Sequence, residues 1–160
     1  MSMEGAPGGY AGFLKTSRKY AFTSAASGDW TGDLPRMYPY RRLIIMSRGK
    51  NTLLSSYISR LQLDVNNGEK IIYAGRVAGW YDGMDSEVAQ AQLVSETPAT
   101  PALTVSKAGL SVGSYIQIPF DTADEMENCL VSSRYDRVTL TLTQIAANGD
   151  IRVVLQEVLP

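Results

Sequence analysis

The sequence predicts an all-β fold of the sandwich or barrel type. Residues 59–65 and 137–143 alternate polar and apolar side chains without a break, which is the period of a strand with one buried face. Turn-forming residues separate these and other short β-rich runs at intervals typical of sandwiches and barrels. At 160 residues, the chain has the length of one ordinary domain.

Two local patterns predict chain reversals. Asn66, Asn67 and Gly68 tolerate positive φ, so we expect them to turn the strand at 59–65 into a second strand at 69–74. Near the C-terminus, a turn at 146–150 separates two β-rich runs and predicts a β-hairpin. The remaining predicted strands are residues 41–47, 102–106 and 115–120.

The first 35 residues differ in composition from the rest. They are rich in Gly, Ala and Ser, and such a segment buries little surface by itself. We predict an extended N-terminal arm at 1–35 that becomes ordered against a partner, followed by one β-sandwich domain at 36–160. Isolated aromatic and aliphatic side chains are its candidate anchors: Tyr10, Phe13, Leu14, Tyr20, Phe22 and Trp30.

One or two short helices are expected. Residues 121–127 place carboxylates in a first helical turn, where the peptide dipole favours them. Residues 85–93 begin with capping residues but also alternate, so this segment fits a helix or a strand.

Charge is balanced overall but unevenly distributed. The net charge is −1, which excludes the strongly basic footprint usual in nucleic-acid binding. Residues 1–60 hold nine Lys/Arg and three Asp/Glu, a difference of +6, whereas residues 61–160 hold six and thirteen, a difference of −7. The first part could face an anionic partner or only solvent. We see neither a membrane-spanning apolar run nor a secretion signal, so we expect synthesis in the cytoplasm.

Catalytic chemistry has little support in this sequence. There is no histidine and only one cysteine, so the usual general base and the usual zinc ligands are missing. The acidic clusters at 82–87 and 121–127 lack the spacing of a calcium loop. We therefore predict no enzyme, no metal, no cofactor and no small-molecule substrate, and we interpret Cys129 as a small buried thiol.

Basic and aromatic residues are interleaved at 15–22 and at 36–42. Arg and Tyr dominate protein interfaces and also stack on or clamp nucleic acids, and we favour the interface. The predicted contacts with a protein or an anionic partner are Arg18, Lys19, Trp30, Arg36, Arg41 and Arg42.

The order of these features resembles the jelly-roll coat proteins of tailless icosahedral viruses of bacteria and archaea. The likeness covers about residues 40–158. It lies in Tyr-Arg-Arg-Leu-Ile-Ile at 40–45, Arg-Leu-Gln-Leu-Asp-Val-Asn-Asn-Gly at 60–68, Tyr-Ile-Gln-Ile-Pro-Phe-Asp at 115–121, and Tyr-Asp-Arg-Val-Thr-Leu-Thr-Leu at 135–142.

This resemblance implies an antiparallel jelly-roll sandwich of about eight strands. It also implies a virion location and self-assembly into the capsomers of an icosahedral shell, as a homo-oligomer or together with a second coat protein. The N-terminal half would then contact the viral membrane or genome. The alternatives are a phage tail, decoration or carbohydrate-binding sandwich, with Trp30, Trp80 and Tyr81 as a sugar platform, and an enzyme that uses carboxylates alone.

Overall fold

The computed structural model describes residues 13–48, 53–79, 95–96, 105–106, 114–121 and 129–160. These residues form two four-stranded antiparallel sheets and a small two-stranded ribbon. The sheets pack face to face around a shared apolar core, so the predicted all-β sandwich is confirmed.

The first sheet has the strand order β1-β10-β3-β8 and the second sheet β2-β9-β4-β5. The strands of the first sheet are β1 (Phe13–Thr23), β3 (Tyr40–Arg48), β8 (Tyr115–Pro119) and β10 (Asp150–Leu159). Those of the second sheet are β2 (Gly28–Asp33), β4 (Ile58–Val65), β5 (Lys70–Arg76) and β9 (Val138–Gln144). The ribbon pairs β6 (Ser95–Glu96) with β7 (Val105–Ser106), and short 3-10 helices span Leu54–Ser56 and Ser132–Arg134.

Successive strands mostly alternate between the two sheets. The chain passes from β1 in the first sheet to β2 in the second, returns with β3, and crosses again to β4. After β5 and the ribbon it is back in the first sheet with β8, and it then crosses to β9 in the second sheet and to β10 in the first. Two interleaved sheets of four strands with this order are a jelly roll. The jelly-roll sandwich implied by the resemblance is therefore the observed fold.

The core consists of the inward residues of both sheets. Along β9, Val138, Leu140 and Leu142 are fully buried while the threonines between them are partly exposed. Each fully buried aliphatic side chain contributes roughly 1.5–3 kcal/mol relative to exposure. The fully buried large side chains are Tyr40, Leu43, Ile45, Leu54, Ile58, Leu61, Leu63, Ile116, Leu140, Leu142, Ile151 and Leu155.

Several local predictions are confirmed. Asn66, Asn67 and Gly68 adopt φ of 53°, 59° and 87°, and they connect β4 to β5 in an antiparallel hairpin. The strands expected at 41–47, 59–65, 69–74 and 115–120 correspond to β3, β4, β5 and β8.

The predicted C-terminal hairpin is wrong, although both of its strands exist. β9 pairs with β2 and β4, whereas β10 pairs with β1 and β3 in the opposite sheet. The connection between them crosses the sandwich, and its Asn148 N–H donates to the Ser24 carbonyl at 3.0 Å. Alternation along each strand shows which face is buried, but it does not show which strand is the neighbour.

The boundary of the predicted N-terminal arm is also wrong. Residues 13–33 form β1 and β2, one edge strand in each sheet. Edge strands expose much of their surface, which explains the polar and small-residue composition that resembled an arm. Residues 1–12 lie outside the described part of the chain.

Other predictions fall outside the described residues. They include the segment at 85–93, which fitted a helix or a strand, and the helix expected at 121–127, of which only Asp121 is described. They also include Trp80, Tyr81 and most of the strand expected at 102–106. No helix within the described ranges is long and apolar enough to cross a membrane.

Candidate assembly surface

The outer face of the first sheet combines apolar and basic side chains. Because side chains alternate along a strand, the residues between the buried positions of β3 and β10 point away from the core. The register aligns them in rows across the sheet. One row is Arg18, Val154, Ile44 and Gln117, the next is Ala21, Arg152, Met46 and Tyr115, and a third is Thr16, Gln156, Arg42 and Pro119.

The middle of this outer face is apolar. Ile44, Met46, Val154 and Tyr115 occupy adjoining positions on neighbouring strands and are all partly exposed. Neighbouring strands lie about 4.8 Å apart, so these side chains form one continuous patch. An apolar patch with a polar rim is typical of a surface that contacts another protein.

Arginines surround the apolar patch. Arg152 makes two hydrogen bonds of 2.8 Å to the two carboxylate oxygens of Asp150. These bonds are the main reason that the pKa of Asp150 lies below its usual value, and the positive charges of Arg48 and Arg18 lower it further. Three arginines thus act on one carboxylate, and Arg42 adds a fourth cation to the face. Together they give this surface a positive charge.

The outer face of the second sheet has a different character. Thr139, Thr141 and Thr143 of β9 point outward, and Thr31 lies opposite Thr141 on β2. The flanking rows carry carboxylates, with Asp29 opposite Thr143 and Asp33 opposite Thr139. The two outer faces of the same sandwich therefore differ, one being apolar and basic and the other hydroxyl-rich.

Solved viral capsid structures share the fold of this chain. A structure of Sulfolobus turreted icosahedral virus (STIV) matches with a TM-score of 0.63 at 13% identity, covering 90% of this chain and 45% of the matched chain. The crystal structure of the STIV MCP matches with a TM-score of 0.56 at 12% identity, covering 91% of this chain and 48% of the matched chain. The PBCV-1 virus capsid matches with a TM-score of 0.52 at 10% identity, covering 92% of this chain and 46% of the matched chain.

The chain has the jelly-roll fold of these viral capsid proteins. It spans about half the length of the structures that it matches. No protein-family model and no curated protein sequence matches it. The likeness is one of fold, and the chemistry of the jelly roll's surfaces comes from this chain's own residues.

Two of the six predicted contact residues lie together on the outer face of the first sheet of this jelly roll. Arg18 is exposed on the edge strand β1, and Arg42 is partly exposed on β3. Arg18 aligns with Val154 in β10, while Arg42 aligns with the next outward residue, Gln156. Their assignment as partner contacts stays a prediction.

Two further predicted residues bind buried carboxylates within the chain. The Lys19 ammonium lies 2.8 Å from an oxygen of Glu157, which is 2% exposed. The Arg41 guanidinium lies 3.5 Å from an oxygen of Asp121, which is 3% exposed. A buried carboxylate needs such a partner because it has lost its water, so both cations have a structural role.

Arg36 and Trp30 also make intramolecular contacts. Arg36 donates a hydrogen bond to the carbonyl of Tyr135. The indole of Trp30 stacks on Phe22 with ring centroids 4.4 Å apart and an interplanar angle of 5°, and Tyr20 meets it edge-on at 5.0 Å. This packing occupies one side of the indole and reduces what a sugar could reach.

Sequence reasoning missed the apolar patch and two of its arginines, Arg48 and Arg152. The missed signal is that β3 and β10 carry aliphatic residues at outward positions as well as inward ones. Leu43, Ile44, Ile45 and Met46 run without a polar interruption, whereas a strand with one solvated face alternates. A continuous apolar run in an antiparallel strand could have indicated a second contact surface.

The one cysteine of this jelly roll is not set up as a reactive thiol. Cys129 is partly exposed, not fully buried as predicted, and lines a cavity of about 280 Å³ with Phe120 and Tyr135. Partial burial raises the pKa of its thiol, and the negative charge of Asp121 adds to this, so the thiol stays protonated at neutral pH and is a poor nucleophile. Within the described ranges, no group of three or more His, Cys, Asp or Glu residues could hold a metal ion.

Proposed function

We propose that this protein is a structural capsid subunit that associates through the outer face of its first sheet into the capsomers of an icosahedral shell. The jelly-roll fold that it shares with three viral capsid structures over 90–92% of its length supports this proposal most directly. The protein would have no catalytic role and would reside in the virion.

The surface chemistry supports the same function. An apolar patch bounded by arginines has the composition of a protein interface, where aromatic residues and Arg are enriched. The outer face of the second sheet, by contrast, carries a row of threonines along β9 instead of aliphatic side chains. Ile44, Met46 and Val154 add nothing to the core, so association offers a physical role for them.

The lengths of the matched chains bear on how many copies of this sandwich a capsomer needs. The sandwich corresponds to 45–48% of each matched chain. A shell of comparable design would therefore need several copies of this sandwich, either all of this chain or shared with a second coat protein. The predicted contact with a viral membrane or genome stays a further prediction.

Charged substitutions on the two outer faces test the proposal. Ile44→Asp places a carboxylate in the apolar patch, and Thr141→Asp places one at the matched central position of the second sheet. We expect the wild type to sediment as oligomers at micromolar concentration and to show ring-shaped or shell-like particles by electron microscopy. Ile44→Asp should weaken association at least tenfold, which corresponds to about 1.4 kcal/mol, and Thr141→Asp should not. Circular dichroism should show both variants folded.

Three outcomes would revise, narrow or defeat this proposal. Loss of assembly in Thr141→Asp but not in Ile44→Asp would move the contact to the second sheet. Oligomers only after addition of a second coat protein would assign a mixed lattice. A chain that stays monomeric under both conditions would defeat the capsid role, and saturable binding in a glycan screen would then favour the carbohydrate-binding alternative.

A further inference from the structure

Two arginines of the second sheet stand directly opposite each other at one end of its outer face. Arg60 on β4 pairs in register with Arg76 on β5, and both side chains are exposed. Like charges in directly opposed cross-strand positions repel each other and destabilise the pair. This arrangement therefore weakens the unliganded sheet.

Neither arginine has a compensating partner among the described residues. Across residues 13–48, 53–79, 114–121 and 129–160, the side chains of Arg60 and Arg76 take part in no hydrogen bond or ion pair. Arg137, by contrast, lies 2.8 Å from a carboxylate oxygen of Asp33. The Arg60–Arg76 pair differs from this site because two cations face each other across neighbouring strands.

The two guanidinium groups line a groove that also contains hydroxyl groups. The groove has a volume of about 570 Å³, and Ser55, Ser59 and Thr143 contribute to its walls. The register of β4 against β9 shifts between Ile58 and Arg60, so Ser59 sits in a β-bulge. Bulges re-aim side chains and are frequent beside functional sites.

We infer that Arg60 and Arg76 form a binding site for a phosphate group. A guanidinium presents paired N–H donors that match the oxygens of phosphate, and two adjacent guanidiniums can bind one oxyanion from two sides. The anion neutralises the repulsion between the strands, and the Thr143 hydroxyl supplies a further donor, whereas the Ser59 hydroxyl already donates to the Thr143 carbonyl at 3.4 Å. The site lies on the opposite sheet from the proposed assembly surface and does not depend on the capsid role.

The same chemistry fits a free phosphate ion and a phosphate at a lipid surface, and the experiment separates these sources. The probe is inorganic phosphate, titrated into the full chain at constant ionic strength with chloride as the balancing anion. The readout is the NMR signals of the arginine side-chain N–H groups. We expect saturable shifts confined to the signals of Arg60 and Arg76.

Variants make the assignment specific. Arg76→Gln removes one guanidinium without adding a negative charge, and Arg134→Gln removes an exposed arginine elsewhere as the matched control. We expect Arg76→Gln to weaken phosphate binding at least tenfold and Arg134→Gln to leave it unchanged. In thermal melts with phosphate at ten times its dissociation constant, the Tm of the wild type should rise by roughly 3–6 °C relative to chloride, and that of Arg76→Gln should not.

Flotation with vesicles then identifies the source of the phosphate. Binding to phosphatidylglycerol vesicles but not to phosphatidylcholine vesicles, lost in Arg76→Gln, assigns a lipid headgroup. Phosphate binding without flotation assigns a free phosphate ion, and both results support the site. Equal phosphate affinity of the wild type and Arg76→Gln, or no saturable shift up to about 50 mM phosphate, would overturn the inference.

Discussion

The ion pair between Lys19 and Glu157 offers a sharp test of how the edge strand β1 is held to the sandwich. The Lys19 ammonium lies 2.8 Å from a Glu157 oxygen, and the Glu157 residue is only 2% exposed. Lys19→Met keeps a side chain of similar length but removes the positive charge. The buried carboxylate of Glu157 is then left without its counter-ion.

The expected loss of unfolding free energy follows from the burial of Glu157. Removing one partner of a fully buried ion pair costs about 3–5 kcal/mol, because the remaining charge has neither water nor a partner. The Lys19 side chain keeps 19% of its exposure, so some water can reach the site. We therefore expect Lys19→Met to lower the free energy of unfolding by about 2–4 kcal/mol at pH 7.

The matched control is Lys15→Met. Lys15 lies on the same strand as Lys19 and is aligned with Glu157 of β10, but its side chain is exposed and forms no ion pair with Glu157 among the described residues. Its replacement should change the stability by no more than about 0.5 kcal/mol. Urea denaturation followed by circular dichroism measures both variants. Equal effects of the Lys15 and Lys19 substitutions would refute the argument that the unpaired charge of Glu157 causes the loss.

Three further predictions concern the core, a surface ion pair and a connection between the sheets. Leu140→Ala should lower the free energy of unfolding by about 2–5 kcal/mol in urea, because Leu140 is fully buried in a central strand. The hydrogen bond from Arg137 lowers the pKa of Asp33, so Asp33→Asn should cost well under 1 kcal/mol above about pH 4. Urea denaturation at several pH values should show this loss vanishing as the pH falls through the lowered pKa. Gly149→Ala should cost about 1–3 kcal/mol in thermal melts, because its Cβ would lie 2.4 Å from the Tyr57 ring.

The sequence predicted the strands of the sandwich better than their pairing. Alternation at 59–65 and 137–143 marks which residues face the core, and the structure buries Leu61, Leu63, Leu140 and Leu142 accordingly. Pairing depends on contacts between residues far apart in the chain. This is why the hairpin at Asn66–Gly68 was predictable from its turn, whereas the crossing after β9 resembled a hairpin and is not one.

The contact residues were predictable only in part, for a related reason. A basic residue in the sequence shows a charge but not the direction in which it points. The bulge in β1, between Arg18 and Tyr20, separates the outward Arg18 from the neighbouring Lys19, which reaches the buried Glu157. No local pattern distinguishes these two adjacent cations, because the distinction depends on a carboxylate 138 residues away.

The difference between the two outer faces is the feature that folding alone does not explain. A solitary sandwich would fold equally well with threonine at positions 44, 46 and 154, since the second sheet carries threonine at the equivalent outward positions of β9. Aliphatic side chains at those positions leave apolar surface in water, which favours association. Replacing Ile44 and Val154 by threonine should therefore leave the free energy of unfolding within about 1 kcal/mol of the wild type while weakening assembly. A double variant that assembled as tightly as the wild type would remove the physical basis for assigning this face to the shell contact.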